Sequence, residues 1–179
     1  MNLRTIGSVE LNSIAVGIHV ADEMVKAANV DLLMSRPTCP GRYLIIIAGD
    51  TGSVKTAVET GRDIGKEMVI DWFTIPSVHP SVIPALGGTA IVPEITALGV
   101  IETYTTVSCI LAADAAAKSG MVDLIEIRSA SGLGGKAFVT MTGDVGSVET
   151  SVAAGVERLC DSGHVVIPSP SQELKQKLT

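Results

Sequence analysis

Apolar residues recurring at three- and four-residue steps mark two helices in the first half of the chain. Ile14, Ile18, Ala21, Val25 and Ala28 form one stripe, with Asn12 or Ser13 placed to cap it. Val54, Ala57, Val58, Gly61, Ile64 and Met68 form the second, fed by the turn Gly49-Asp50-x-Gly52-Ser53. Around them lie apolar runs of strand length, at about Thr5–Leu11, Val30–Ser35 and Tyr43–Ala48, with a fourth ending at Ile75-Pro76. A short tail helix is expected after the fourth. Strand-helix-strand, strand-helix-strand is the order of a ferredoxin-like α/β sandwich.

The same order then repeats. At a spacing of 92 residues, Gly7, Glu10, Ile18, Ala21, Asp22, Lys26, Val30, Asp31 and Leu32 meet Gly99, Glu102, Ile110, Ala113, Asp114, Lys118, Val122, Asp123 and Leu124. After Cys39 the spacing becomes 94, where Gly41, Gly49, Asp50, Gly52, Ser53 and Val54 meet Gly135, Gly143, Asp144, Gly146, Ser147 and Val148. It returns to 92 at Ile75-Pro76 and Ile167-Pro168. The inserted residues fall in a loop, where added length costs little. The second copy places strands at Leu98–Thr103, Val122–Arg128 and Ala137–Thr142. The chain therefore reads as two α/β modules, residues 4–86 and 96–179, joined by the linker Gly87–Ala97.

Composition narrows the function classes. Of 179 residues, 46% are hydrophobic and only 3% aromatic, so the core is built of Val, Ile, Leu and Ala, and apolar surface is expected to be covered by neighbouring subunits. A net charge of −6, without a basic stripe, argues against nucleic acid as a partner. No apolar run approaches the roughly 20 residues of a membrane crossing, and no secretory signal pattern opens the chain. The expectation is a soluble cytoplasmic protein with no membrane partner. Three cysteines do not make a disulfide framework. Cys109 reads as a small core residue. Cys160, in Cys-Asp-Ser-Gly-His164, reads as half a metal site at most.

Cys39 stands apart. It lies in the turn Arg36-Pro37-Thr38-Cys39-Pro40-Gly41-Arg42, and the second copy has no cysteine at the matching place. One thiol cannot hold a metal cluster, whereas three copies about a threefold axis supply three soft sulfur ligands. Read from the residues alone, an unligated cysteine lining a pore remains the simpler alternative. The matching second loop, Ser129-Ala-Ser-Gly-Leu-Gly-Gly-Lys136, looks like a phosphate loop but fails the Walker pattern, since Ala137 follows Lys136. A strand rather than a helix follows it, so no helix N-terminus awaits a phosphate.

Gly7-Ser-Val-Glu10, Ala21-Asp22-x3-Lys26-x3-Val30-Asp31, Gly49-Asp50-x-Gly52-Ser53-Val54 and Ile75-Pro76-x2-His79 together resemble the shell proteins of bacterial microcompartments. The likeness is to their tandem-domain type, which assembles as a homotrimer imitating a hexagonal tile, here in the unpermuted form. It is nearest to the propanediol-utilisation members, in which the equivalent loop reads Cys-Pro-Gly-Lys followed by an aromatic; here it is Cys39-Pro40-Gly41-Arg42-Tyr43. That resemblance implies a non-enzymatic wall component with one iron–sulfur cluster per trimer. A 4Fe-4S cluster is expected, 3Fe-4S also satisfying the symmetry, with Cys39 as its protein ligand.

Thr38, Pro40, Gly41, Ser129, Ser131, Gly132, Gly134 and Gly135 are then axis-loop residues, the second loop lying beside the Cys39 loop. Lys26, Lys118 and His79 are candidates for tile-edge contacts, because Ser77 and Ser169 replace the edge arginine of single-domain relatives. Other shell proteins and an enclosed redox enzyme are the implied partners. A metal-free tile with an open metabolite pore, and a ligand-sensing trimer, are the rival functions.

Overall fold

The computed structural model describes residues 5–159 and 162–178. In the first copy, β1 (Thr5–Leu11) is buried along its whole length, as a strand flanked on both edges must be. It pairs antiparallel with β3 (Arg42–Gly49) and β4 (Val69–Pro76), while β2 (Asp31–Thr38) closes the other edge in the order β2-β3-β1-β4. Helices α1 (Ile14–Ala27) and α2 (Thr51–Gly65) pack on this sheet. A 3-10 turn, Lys66–Met68, leads into β4. The short α3 (Val82–Gly87) follows.

The second copy repeats the scheme with β5 (Ala97–Thr103), α4 (Thr106–Ser119), β6 (Val122–Arg128), β7 (Ala137–Gly143), α5 (Val145–Glu157), β8 (Gly163–Ile167) and α6 (Gln172–Leu178), its sheet ordered β6-β7-β5-β8. These are two tandem ferredoxin-like α/β domains. By packing, the chain divides into Met1–Val78 with Ala130–Gly135, and His79–Ser129 with Lys136–Thr179. Among the described residues no helix is long and apolar enough to cross a membrane.

Helix starts are fixed by side-chain caps. Ser13 Oγ accepts the Val16 N–H, Thr105 Oγ1 the Ser108 N–H, and the repeated Asp50 and Asp144 accept from Ser53 and Ser147. The repeated glycines of β1 and β5 let the second helix of each copy, α2 and α5, come close. A side chain at Gly7 would lie 2.5 Å from Val58, and one at Gly99 2.8 Å from Val148. Cys109 is buried in α4, as a small core residue should be. Cys160 lies outside the described residues.

The α2 stripe is buried through Val54, Ala57, Val58 and Gly61, with Ile64 half-buried, whereas Met68 is exposed on the turn beyond the helix. The α1 stripe requires correction. Its buried face is Gly17, Val20, Ala21 and Met24; Ile14, Ile18 and Val25 are exposed. Two glycine contacts set the helix's rotation: Gly17 admits the stem of Tyr43, and Gly61 of α2 admits Met24. The strand β2 also runs on through Arg36, Pro37 and Thr38, which the sequence assigned to the turn. Pro37 is tolerated because β2 is an edge strand with spare backbone groups.

A cysteine turn clasped by a glycine loop

With β2 ending at Thr38 and β3 beginning at Arg42, only Cys39, Pro40 and Gly41 make the reversal. The Cys39–Pro40 peptide is cis, and Gly41 has φ +79°, a left-handed conformation that glycine adopts without strain. Behind the turn, Arg42 reaches Glu10 at 3.4 Å. Glu10 is fully buried, so the guanidinium supplies a charge partner that its carboxylate needs. In the second copy the matching pair, Lys136 and Glu102, lies exposed at 2.7 Å.

The loop Ala130–Gly135 packs with the Cys39 turn in one unit. Ala130 O accepts the Cys39 N–H at 2.7 Å, and the Gly132 N–H donates to Cys39 Sγ at 3.3 Å. Gly132, Gly134 and Gly135 all have positive φ, at +75°, +62° and +94°. At Gly135 a side chain would also meet Pro40 Cδ at 2.9 Å, so glycine is required there twice over. Cys39 is thus held from its own backbone and at its sulfur, and is half-buried. Thr38 is buried and its hydroxyl has no hydrogen-bond partner among the described residues. Ser129 is buried and Ser131 exposed.

Among the described residues, no group of three or more His, Cys, Asp or Glu side chains is placed to hold a metal ion within one chain. The donor set at the turn fits one corner of a shared site: one soft sulfur, an N–H already directed at it, and an orphaned hydroxyl in the adjacent residue.

The remaining candidates lie elsewhere. Lys26, in the last turn of α1, is exposed and pairs with Asp22 and with Glu23 at 3.2 Å. The hydrogen bonds that its ammonium donates to Asp22 and then Glu23 push its pKa up. Lys118, its counterpart on α4, pairs with Asp114 at 2.6 Å. Asp114 also accepts the His79 N–H at 2.8 Å, and His79 Nδ1 meets Ser81 Oγ at 2.7 Å. Asp22 and Asp114, equivalent in the two copies, thus each hold the lysine four residues on. The tie from Asp114 to His79 had no local signal, since the partners are distant in the chain. Also unforeseen is Arg62 stacked 3.8 Å over the ring of Trp72, the chain's single tryptophan.

Comparison with known proteins places this geometry. The BMC domain family matches residues 5–78 and again 97–170. The bacterial microcompartment shell protein PduT of Citrobacter freundii is 37% identical over 179 residues, covering 98% of this chain and 97% of that protein. The shell protein PduA of Salmonella typhimurium is 34% identical over 86 residues, 46% of this chain but 89% of PduA, as a duplicated module requires. The crystal structure of a microcompartment protein from Desulfitobacterium hafniense DCB matches with a TM-score of 0.85 and 52% identity, over 97% of this chain and 99% of that one. Two consecutive copies of one module, aligned end to end with such relatives, establish that this chain belongs to the BMC-domain family, as a tandem-domain shell protein of bacterial microcompartments.

Proposed function

We propose that this shell tile carries an iron–sulfur cluster on its threefold axis, held by Cys39 of three subunits, and passes electrons across the shell. The tile itself follows from the family: tandem BMC proteins are structural, non-catalytic components that form pseudo-hexameric trimers in the microcompartment wall. The cluster is the finer step. It is supported above all by the half-buried Cys39 Sγ, which a backbone N–H contacts at 3.3 Å at the tip of a hairpin.

A single chain supplies one sulfur at this place, so a multi-thiolate site requires symmetry copies. Three equivalent thiolates suit a 4Fe-4S cluster with a non-protein fourth ligand, and equally a 3Fe-4S cluster. Bound there, such a cluster supplies one-electron transfer. The residues have separate tasks. Cys39 ligates; Gly132 directs its N–H at the sulfur; Gly41 and Gly135 allow the two loops their close approach. Thr38, Pro40, Ser129, Ser131 and Gly134 complete the axis loops. An enclosed redox enzyme is the partner this role implies. Lys26, Lys118 and His79 are proposed to contact neighbouring shell proteins at the tile edge.

The test is anaerobic purification with iron and sulfide counted per trimer, beside Cys39→Ala. The proposal expects a brown protein whose visible band bleaches on reduction, and a colourless variant of unchanged assembly. A colourless wild type, or iron unchanged in the variant, would leave a tile with an open pore.

A further inference from the structure

We propose that the Gly132 N–H sets the reduction potential of the axis site, the first copy supplying the sulfur and the second the hydrogen-bond donor that tunes it. The role rests on the cluster proposed above and goes beyond ligation, giving the cysteine-free loop a task of its own. At 92 positions from Cys39 stands Ser131, an exposed serine and no ligand to a soft metal. The backbone of the next residue is what reaches the sulfur, Gly132 N–H to Cys39 Sγ at 3.3 Å.

Two nearby donors are committed elsewhere. The Cys39 N–H is taken by Ala130 O at 2.7 Å, so the residue's own backbone does not serve its sulfur. Arg42 is turned to the buried Glu10 at 3.4 Å. The choice of glycine at 132 then has one physical reason. A Cβ at Gly132 would have nothing within 4 Å, whereas at Gly135 it would meet Pro40 Cδ at 2.9 Å. Crowding therefore bears on Gly135, and backbone conformation alone explains Gly132, whose φ is +75°. That is the conformation in which its N–H points at Sγ.

An N–H dipole against a thiolate sulfur draws charge from it and stabilises the electron-rich state of the metal that the sulfur holds. Reduction adds one negative charge, so the donor favours the reduced form over the oxidised one and raises the potential. Cys39 is half-buried, and water screens the dipole less there than at an open surface. In a homotrimer the same donor acts three times on one shared group. Gly132 is thus a positioning residue, which binds no iron and acts through Cys39.

The test replaces this amide by an ester. Glycolic acid stands for Gly132 in a synthetic segment of residues 109–179, ligated at Cys109 to the expressed remainder of the chain. The N–H becomes an oxygen and no side chain is added. Anaerobic iron counts and an EPR-monitored redox titration then compare it with the natural chain. The expected result is unchanged iron per trimer and a midpoint potential shifted to more negative values. Gly132→Asn keeps the N–H and tolerates positive φ, so it should titrate with the natural protein. An ester chain with iron bound and potential unshifted overturns the proposal. So does one that binds no iron, because the N–H would then serve binding rather than potential. A further readout needs no metal. In iron-free trimer, Cys39→Ala should shift the Gly132 amide proton resonance and speed its exchange; an unmoved resonance overturns the contact itself. A natural chain that never binds iron ends the cluster and this role with it, whereas loaded chains of equal potential end this role alone.

Discussion

Replacing Gly17 by alanine sets two physical effects of opposite sign against each other. Gly17 lies within α1, where alanine is the better helix former by about 1 kcal/mol. Local propensity alone therefore makes the variant more stable. The fold opposes this. An added Cβ would lie 2.4 Å from Tyr43 Cβ, 2.5 Å from Cγ and 2.6 Å from Cδ1. These are stem and ring atoms of a buried side chain whose hydroxyl is hydrogen-bonded to Ser35 at 2.9 Å, so the ring cannot swing aside freely. Overpacking of this kind costs about 1–3 kcal/mol, and contact with three atoms places it at the upper end. The net expectation is a destabilisation of about 2 kcal/mol, or a loss of roughly 4–8 °C in Tm for a chain of this length. Urea or thermal unfolding measures it, at fixed protein concentration because the protein is an oligomer. In a Tyr43→Gly background, which removes the clashing Cβ as well as the ring, the sign should reverse, Gly17→Ala then gaining about 1 kcal/mol from propensity. A Gly17→Ala variant more stable than the parent would refute the Tyr43 contact as the determinant of how α1 sits.

Other outcomes follow from single contacts. Hydrogen bonds from Ser53 and Ser147 hold the Asp50 and Asp144 carboxyls below the ordinary value of 3.8. The stability they confer is complete above the unfolded carboxylate pKa of about 3.9 and is lost as pH falls through the lower folded values. An Asp50→Asn/Asp144→Asn variant keeps capping groups but should flatten the acid limb of the unfolding profile below about pH 4. Asp114→Ala leaves the His79 N–H and Lys118 without their acceptor and should cost about 2 kcal/mol by denaturant titration. Arg62→Ala removes the guanidinium over Trp72 and should cost about 0.5–1 kcal/mol. It should also change the fluorescence of this sole tryptophan.

The duplication made the fold legible. Each strand and helix of the first copy had a counterpart to check it, and capping residues such as Asp50 and Asp144 recur at fixed places. Periodicity could not choose between two apolar faces on α1. Ile14, Ile18 and Val25 keep helical spacing as well as Val20, Ala21 and Met24 do, and only the glycine contacts with Tyr43 and Met24 decide which turns inward. The neighbouring position of the Cys39 turn and the Ala130–Gly135 loop was readable because they are equivalent turns in equivalent copies. The Gly132 N–H on Cys39 Sγ was not, since it depends on positive φ at particular glycines rather than on spacing. Likewise the tie between Asp114 and His79 joins residues with no local pattern linking them.

The most direct test of the redox tile is an anaerobic crystal structure of the trimer with data collected above and below the iron absorption edge. Convergence of the three Cys39 sulfurs on anomalous iron density at the threefold axis is the predicted result. An axis free of iron, with those sulfurs turned away from it, would contradict the account.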